Sequence, residues 1–460
     1  MSFKLRSLFV AVAGISAFSA HGAGLDRSTQ PSWGLTQDGT FAYVEHITIS
    51  PEVAGKDSAS KSTGNMSEDY NFLNFGAKAD INDRVSIGAF FDQPWGADVQ
   101  FKGDNNFVSP TVDKLQDTVT AVTQRVNKTQ LDLIQQYTPA VQAGKMTQAD
   151  LKKLIASKIA NESIGVKAVA STVGEGTSVT VSSQNATLVG GIKLGKNNNF
   201  QVYAGPTIQK LEGDIHLRGM AYGVLSGYDA YIPNSNAYGW LAGVAYSKPE
   251  IALKASLTYR SEIDHDATFD ESIPESTATA LTGFTGSPVA LPHSFSQKAT
   301  ITTPESYNLD FQTGLNPTTL LTAKVRYVPW GDFKVTPPAY HSLAKNLGKN
   351  LNIVDYSDDA WTAEIGLGKK LSPKWAVSGS VGWDSGAGNP ASSLGPVEGN
   401  WNVGLGAKYN ITPEWSVSGG AKYLMFGDAT AQLPDHATNV GEFADNDGFV
   451  YGLRLTYQKK

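Results

Sequence analysis

The C-terminal third of the chain alternates apolar residues with polar or small residues. The alternation runs through Trp375–Trp383, Trp401–Tyr409, Trp415–Tyr423 and Phe449–Tyr457. Successive side chains of a β-strand point to opposite faces, so each segment predicts a strand with one apolar face.

Aromatic residues stand at both ends of the apolar face in each of these four segments. A soluble β-sandwich also alternates, but paired aromatics with smaller aliphatic residues between them indicate a strand that crosses two membrane interfaces. The eight-residue spacing spans about 26 Å at about 3.3 Å per residue, or about 20 Å in a tilted strand. The apolar band of a transmembrane barrel is about 25 Å tall, so the pattern favours a transmembrane β-barrel.

Short turns and long polar segments alternate along the chain. Turn residues occur at Asn82-Asp83, Gly195–Asn199, Lys248-Pro249, Asn316-Pro317, Ser372-Pro373 and Thr412-Pro413. The long polar segments are 50–68, 97–176, 218–237, 265–300, 331–359, 384–399 and 427–447. Outer-membrane barrels have short periplasmic turns and long external loops. We therefore predict an all-β fold: a 14-stranded antiparallel transmembrane β-barrel with a short N-terminal plug segment and a helical external loop.

The N-terminus has the features of a signal peptide. Basic residues precede an apolar core, Leu8–Ala20, which is too short to cross a membrane as a helix. We predict a signal peptide at residues 1–22, a short plug segment at residues 23–39 and the barrel at residues 40–460.

One external loop, residues 110–163, has helical periodicity. Leu115, Val119 and Val122 fall at helix spacing, and Thr147 with Asp150 resembles a capping box before a second apolar run. We predict a helical hairpin here, and a lid over the barrel mouth is favoured over a partner-binding module.

The third predicted strand, Arg84 to Trp95, ends in a sequence that interrupts sheets. Pro94 has no N–H for a ladder hydrogen bond, and Gly96 follows it. The sequence predicts a break in the strand at this point, and an ordinary strand end before a loop is the alternative.

Composition excludes several other classes of protein. The 460 residues contain no cysteine, so neither disulfides nor thiolate metal sites can form. A mean hydropathy of -0.22 excludes a bundle of transmembrane helices, each of which needs about 20 apolar residues. A net charge of -6, spread over the chain, argues against nucleic-acid binding. The histidines have no metal-ligand spacing, and no Gly-x-Ser-x-Gly run occurs. We expect no enzymatic activity, no metal and no cofactor.

Three segments resemble the FadL family of outer-membrane transporters of long-chain fatty acids and hydrocarbons: Leu257–Glu262, Tyr327–Phe333 and Ser50–Val53. The resemblance covers most of the mature chain. It implies passive uptake of hydrophobic molecules, a binding site in the lumen, an N-terminal plug and a kinked third strand that opens sideways. The lateral opening would then lie at Pro94 and Gly96. The segment before the first strand is shorter than the family's plug and lacks the family's Asn-Pro-Ala run.

Basic residues are the candidate ligand-binding groups. Alternation places Arg260 of strand seven, and Lys324 and Arg326 of strand nine, toward the lumen. The resemblance adds Lys210 and Lys334 as counterparts of the basic residues that hold a ligand head group in the family. Such cations would attract a fatty-acid carboxylate, and pairing with carboxylates of the plug or loops is the alternative role.

The favoured function is therefore passive transport of hydrophobic small molecules, foremost long-chain fatty acids, by a monomeric barrel in the bacterial outer membrane. Its other partners would be outer-membrane lipid and lipopolysaccharide. One alternative is a channel for aromatic or alkane hydrocarbons, for which the cations would be irrelevant. Further alternatives are a surface receptor or adhesin that uses the helical loop, and a membrane-embedded hydrolase.

Overall fold

The computed structural model describes residues 24–27, 30, 33–285, 292–346, 351–433 and 438–459. The predicted signal peptide, residues 1–22, lies outside the described residues. Across the ranges that are described, no helix combines the length and the apolar character needed to cross a membrane.

Fourteen antiparallel strands form a closed barrel, which confirms the predicted fold class. The strands are β1 (Thr40–Glu52), β2 (Tyr70–Asp80), β3 (Val85–Asp92 and Gly96–Gln100), β4 (Ser178–Leu194), β5 (Phe200–His216), β6 (Asp229–Lys248), β7 (Leu253–Arg260 and Ile263–Ser272), β8 (Ser294–Thr303 and Ser306–Asn316), β9 (Thr319–Val328), β10 (Ala360–Lys370), β11 (Trp375–Asp384), β12 (Glu398–Asn410), β13 (Trp415–Gly427) and β14 (Asp447–Lys459). The barrel closes because β1 pairs with β14 along its whole length, from Thr40 opposite Lys459 to Glu52 opposite Asp447.

Short turns join the strands at one end of the barrel, the turn side, and long loops join them at the other end, the loop side. Three strands extend further on the loop side than the sequence predicts. β6 begins inside the predicted loop 218–237, and most of the loop-side segments of β7 (Ile263–Ser272) and β8 (Ser294–Thr303) lies inside the predicted loop 265–300. In the upper segment of β7, buried Ala267 and Phe269 alternate with exposed Asp266 and Asp270. A strand with a polar outer face fits a wall that rises above the membrane, where water replaces lipid.

The outer face carries aromatic belts at two levels. On the loop side, neighbouring ring centroids are 4.7 to 6.0 Å apart along a row formed by Trp240, Tyr259, Tyr307, Tyr327 and Trp361. On the turn side, aromatic pairs are formed by Phe200 with Tyr246, Trp375 with Tyr409, and Trp415 with Tyr457. Exposed aliphatic side chains such as Leu257 and Leu309 lie between the two levels, as expected for the lipid-facing band.

The loop between β3 and β4 forms a helical hairpin of α1 (Val112–Gln142) and α2 (Gln148–Ser171). The predicted capping box is present: the Asp150 N–H donates to the Thr147 hydroxyl, and the Thr147 N–H donates to the Asp150 carboxylate. Buried Ile164 and Ala168 pack the end of α2 onto the loops, whereas Leu131 of α1 is exposed. The base of the hairpin therefore covers the mouth, and the remainder projects from it.

The other loops close the loop-side mouth of the barrel. Tyr228, Tyr340 and Phe443 are almost completely buried among them. The elements of this cap are α3 (Glu275–Thr285), α4 (Pro338–Asn346), the 3-10 turns Met220–Leu225 and Trp330–Asp332, a small sheet of Gly55–Asp57, Ala391–Ser392, Ala429–Gln432 and Asn439–Phe443, and the pair Lys334–Val335 with Val354–Asp355. Two further 3-10 turns, Trp33–Thr36 and Pro249–Ile251, lie outside this cap.

Candidate functional site

An apolar cavity occupies the loop-side half of the lumen. Its volume is about 170 Å³, and part of it opens to solvent. Aliphatic side chains from the strands and aromatic side chains from the loops form its wall, among them Val99, Val179, Leu211, Ile301 and Phe333. A concave, mostly apolar wall of this kind favours apolar ligands, because their transfer out of water is favourable.

The charged residues in the described lining of this cavity are all carboxylates: Asp26 and Asp384, which are buried, and Glu212, whose side chain lies on the outer face of β5 beside Lys210. The Thr362 hydroxyl donates to Asp384 at 2.6 Å, and the Ser182 hydroxyl donates to Glu212 at 2.8 Å. A ligand carboxylate in this cavity would therefore meet like charges and would find no lysine or arginine among the described lining residues.

Buried phenols in the loops add to the neutral character of this region. Burial raises the pKa of Tyr356, which lines the cavity, and also the pKa of Tyr222, whose hydroxyl lies 3.3 Å from that of Ser393. Burial and the neighbouring Glu271 carboxylate raise the pKa of Tyr228 well above its ordinary value. These rings remain uncharged hydrogen-bonding groups at neutral pH.

Three of the predicted basic residues lie inside the barrel, beside acidic groups. The Arg260 guanidinium is 3.5 Å from Asp92 of β3. Arg326 donates to Asp26 of the N-terminal segment at 2.6 Å. Lys324 lies opposite Asp310 of β8 and opposite Glu364 of β10. Arg326 therefore pairs with a carboxylate of the N-terminal segment, whereas Arg260 and Lys324 lie beside carboxylates of the barrel strands rather than of the plug or loops.

The other two predicted basic residues face away from the cavity. Lys210 lies on the outer face of β5, 3.3 Å from Glu212, because its neighbours Gln209 and Leu211 are the buried, inward-facing residues. Lys334 is exposed, whereas the adjacent Phe333 lines the cavity. The prediction that these two lysines bind the ligand rests on the family resemblance alone. The alternation of side chains along a strand directs both of them outward.

The N-terminal segment lies inside the barrel. Leu35 is buried, and the ring of Trp33 is edge-on to Phe41 at 5.2 Å. The ammonium groups of two inward lysines hold the backbone: Lys254 donates to the Thr36 carbonyl at 2.7 Å, and Lys78 donates to the Gln37 carbonyl at 2.6 Å. Residues Trp33 to Gln37 of this segment therefore pack inside the wall, beside a polar opening on the turn side that Thr36, Lys193 and Lys254 help to line.

β3 is broken where the sequence predicts a break. The segments Val85–Asp92 and Gly96–Gln100 both pair with β4, but the register of β2 with β3 ends at Phe75 opposite Phe91. Beyond this point the wall between β2 and β3 has no continuous ladder, and we refer to this region as the β2–β3 gap.

Residues of the N-terminal segment occupy the β2–β3 gap. The Arg27 N–H donates to the Pro94 carbonyl at 2.6 Å, and the Gly96 N–H donates to the Leu25 carbonyl at 2.8 Å. The Arg27 guanidinium stacks on the ring of Tyr70 at 4.4 Å. A Cβ atom at Gly96 would collide with this guanidinium, so the absence of a side chain at Gly96 makes room for Arg27.

A cluster of aromatic residues in the cavity was not predicted from the sequence. The ring of Trp330 contacts Trp95 at 5.2 Å, Phe333 at 5.3 Å and Tyr356 at 5.3 Å. The Arg326 guanidinium lies 5.5 Å from the ring of Trp95. Two of these rings, Trp330 and Phe333, belong to the run Tyr327–Phe333, which the sequence identifies only by its resemblance to the family. Both rings lie in the loop after β9, so no strand periodicity predicts the direction of their side chains.

The comparisons with known proteins agree with this architecture. The model of a family described as outer membrane protein transport protein (OMPP1/FadL/TodX) matches residues 157–458. The chain belongs to this family. No curated protein sequence matches the chain. As a member of the family it is an outer-membrane barrel, and the members are transport channels for hydrophobic compounds rather than enzymes.

Solved structures of the family share the fold. A Pseudomonas aeruginosa FadL homologue is 14% identical with a TM-score of 0.63, and the alignment covers 95% of this chain and 96% of that chain. The P. putida toluene transporter TodX is 10% identical with a TM-score of 0.53, with 93% and 92% covered. The monoaromatic hydrocarbon channel CymD is 11% identical with a TM-score of 0.51, with 98% and 97% covered.

Proposed function

We propose that this barrel conducts uncharged hydrophobic small molecules, of the hydrocarbon class, across the outer membrane. The apolar cavity carries this proposal, because the charged groups in its described lining are carboxylates. Burying about 200 Å² of a hydrocarbon there contributes about 5 kcal/mol, before the cost of association is subtracted.

A long-chain fatty acid is the second candidate, and one contact favours it. Arg326 lies directly beside the cavity residues Trp95 and Asp26. A fatty-acid carboxylate would have to displace Asp26 from Arg326, which would leave the Asp26 charge buried without its partner. The cost of an uncompensated buried charge argues against this exchange.

A matched pair of ligands tests the proposal. Naphthalene and 2-naphthoate share the same rings, but 2-naphthoate carries a carboxylate at neutral pH. We expect saturable binding of naphthalene to the detergent-purified protein and binding of 2-naphthoate that is at least about tenfold weaker. Equilibrium titration of ligand fluorescence measures both.

The predicted basic residues provide controls for that titration. Lys210→Ala and Lys334→Ala should leave naphthalene affinity within about twofold, because neither side chain faces the cavity. Equal or tighter binding of 2-naphthoate, weakened by Arg326→Gln, would replace our proposal with carboxylate capture. Absence of binding for both ligands would contradict a transport role for the cavity.

We also propose that ligands leave the cavity sideways through the β2–β3 gap at Pro94 and Gly96. Support comes from the lining of the cavity, which includes Tyr70 and Gly96 at the gap and Leu25 of the segment that fills it. Movement of Leu25 and its neighbours out of the gap would connect the cavity with the outer face of the barrel.

A tether tests this exit. Arg27→Cys with Pro94→Cys would join two residues that already share a backbone hydrogen bond, in a chain without other cysteines. We expect the disulfide to reduce naphthalene transfer into lipid vesicles at least about tenfold, and a reductant to restore it. The single-cysteine variants under the same oxidant are the controls, and undiminished transfer through the tethered protein would rule out this exit.

A further inference from the structure

A second interruption lies in the wall between β6 and β7. Antiparallel register pairs Leu241 with Arg260 on the turn side and Tyr231 with Asp270 on the loop side. Between these points no ladder joins the two strands in the described structure, and we call this stretch, 232–240 of β6 and 261–269 of β7, the β6–β7 seam.

Irregularities in three strands frame the seam. β7 is broken at residues 261–262 and β8 at residues 304–305, at the same height, because Arg260 faces Ser306 and Ile263 faces Thr303. β6 has a bulge around Pro233, where its register with β5 shifts. β6 and β7 keep the same register on both sides of the seam, but along it they have no ladder with each other in the described structure, and each is held by its other neighbour, β5 or β8.

Side chains close the seam in place of the ladder. Ile263 occupies the space beside Gly239, where an added Cβ would lie only 2.6 Å from the Ile263 Cγ1 atom. His265 reaches Ser235 at 3.3 Å and the Gln209 side chain at 2.9 Å. At the turn-side end of the seam, the Ser261 N–H donates to the Trp240 carbonyl at 2.9 Å. A few rotamer changes, rather than the loss of a ladder, would open this stretch.

A small pocket lies in the wall at the turn-side end of the seam. Its lining includes Trp240 of the outer aromatic belt together with the lumen residues Gln30 and Trp95. Trp95 and Thr303 line both this pocket and the large apolar cavity. The seam therefore lies between the belt on the outside and the cavity on the inside.

Described parts of the chain obstruct the two other routes into the cavity. Loops with buried Tyr228, Tyr340 and Phe443 cover the mouth, and residues of the N-terminal segment occupy the β2–β3 gap. The seam extends beyond the aromatic belt that contains Trp240, away from the membrane. Its outer surface there faces water, with Tyr238, Asp264 and Asp266 exposed.

We propose that the β6–β7 seam is a second passage through the barrel wall, by which hydrophobic ligands enter the cavity from the outer surface just above the aromatic belt. This inference rests on the proposed function, since it assumes that the cavity binds a hydrophobic ligand. Ile263 and His265 are the residues that move when the seam opens.

A disulfide across the seam is the test. Asn236 and Asp266 both face outward from the two sides of the seam, so Asn236→Cys with Asp266→Cys should lock it. A closed entrance slows ligand association and dissociation equally, so the dissociation constant should not change. We expect at least about a tenfold slower association of naphthalene by stopped-flow fluorescence, with affinity within about twofold, and recovery after reduction.

The matched control is Thr268→Cys with Lys298→Cys, a register pair across the intact β7–β8 ladder. It should form a disulfide without altering the association rate. Should the seam disulfide fail to form, Ile263→Ala decides the question, because removing the side chain that fills the seam should accelerate association at least about threefold.

An unchanged rate with the seam locked, or an unaltered rate in Ile263→Ala, would overturn the seam proposal while leaving the cavity and its proposed function intact. Failure of the unmodified protein to bind naphthalene would be a different result, and it would overturn the proposed function together with this inference.

Discussion

Replacing Gly395 with tryptophan should abolish high-affinity naphthalene binding while the barrel remains folded. Gly395 lines the apolar cavity, and a Cβ added to it would meet none of the described atoms within 4 Å. The indole would therefore occupy ligand space without a collision with the backbone. We expect affinity to fall at least about tenfold, which corresponds to about 1.4 kcal/mol, in an equilibrium titration.

Gly190→Trp is the matched control for this substitution. Gly190 also has nothing within 4 Å of an added Cβ, but it is exposed on β4 between the outward-facing Leu188 and Ile192. The same indole would lie against lipid, and binding should stay within about twofold. Full affinity in Gly395→Trp would mean that naphthalene binds elsewhere on the protein.

Replacing Arg454 with methionine should destabilise the barrel by about 3–5 kcal/mol. Arg454 is completely buried and donates to Glu45 at 2.5 Å, in the strand pair β1–β14 that closes the barrel. Its guanidinium also lies 4.6 Å from the ring of Trp33 in the N-terminal segment. The substitution would leave the Glu45 carboxylate buried without its cation, and urea unfolding in micelles would measure the loss.

The double variant Glu45→Gln with Arg454→Met separates the two causes of this loss. Because it removes both charges, it should recover more than half of the stability lost in Arg454→Met. Equal destabilisation in the two variants would instead assign the effect to packing of the arginine against Trp33.

The wall of the barrel could be predicted because lipid imposes a strict pattern on it. Strand Trp375–Asp384 has apolar residues at every second position of its lipid-facing side, and the turn before it contains Pro373. Both the strand and the turn can therefore be recognised in a single sequence. Alternation also directed Arg260 and Arg326 inward, where the structure places them. Beyond the loop-side aromatic belt the strands no longer contact lipid, so this pattern ends. The loop-side segments of β7 and β8 have polar outer faces there, and their composition resembles that of loops.

The cavity could not be predicted in the same way, because distant loops build it. Trp330, Phe333 and Tyr356 lie between β9 and β10, where no repeat fixes the direction of a side chain. Lys210 shows the opposite case: the family resemblance suggests an inward role for it, whereas the alternation along its strand directs it outward. The ion pair between Asp26 and Arg326 joins residues 300 positions apart, which no local pattern reveals.

The N-terminal segment that packs inside the lumen has an electrical consequence. In the part of the chain that the structure describes, Leu35 and Trp33 pack inside the wall, and ion pairs such as Arg326–Asp26 lie between them and the cavity, so no broad column of water joins the polar opening on the turn side to the apolar cavity. Ions and sugars require such a column, whereas a hydrocarbon that moves sideways through the wall does not. A cell could therefore insert many copies of this barrel and gain permeability to oily compounds while its outer membrane remained an insulator.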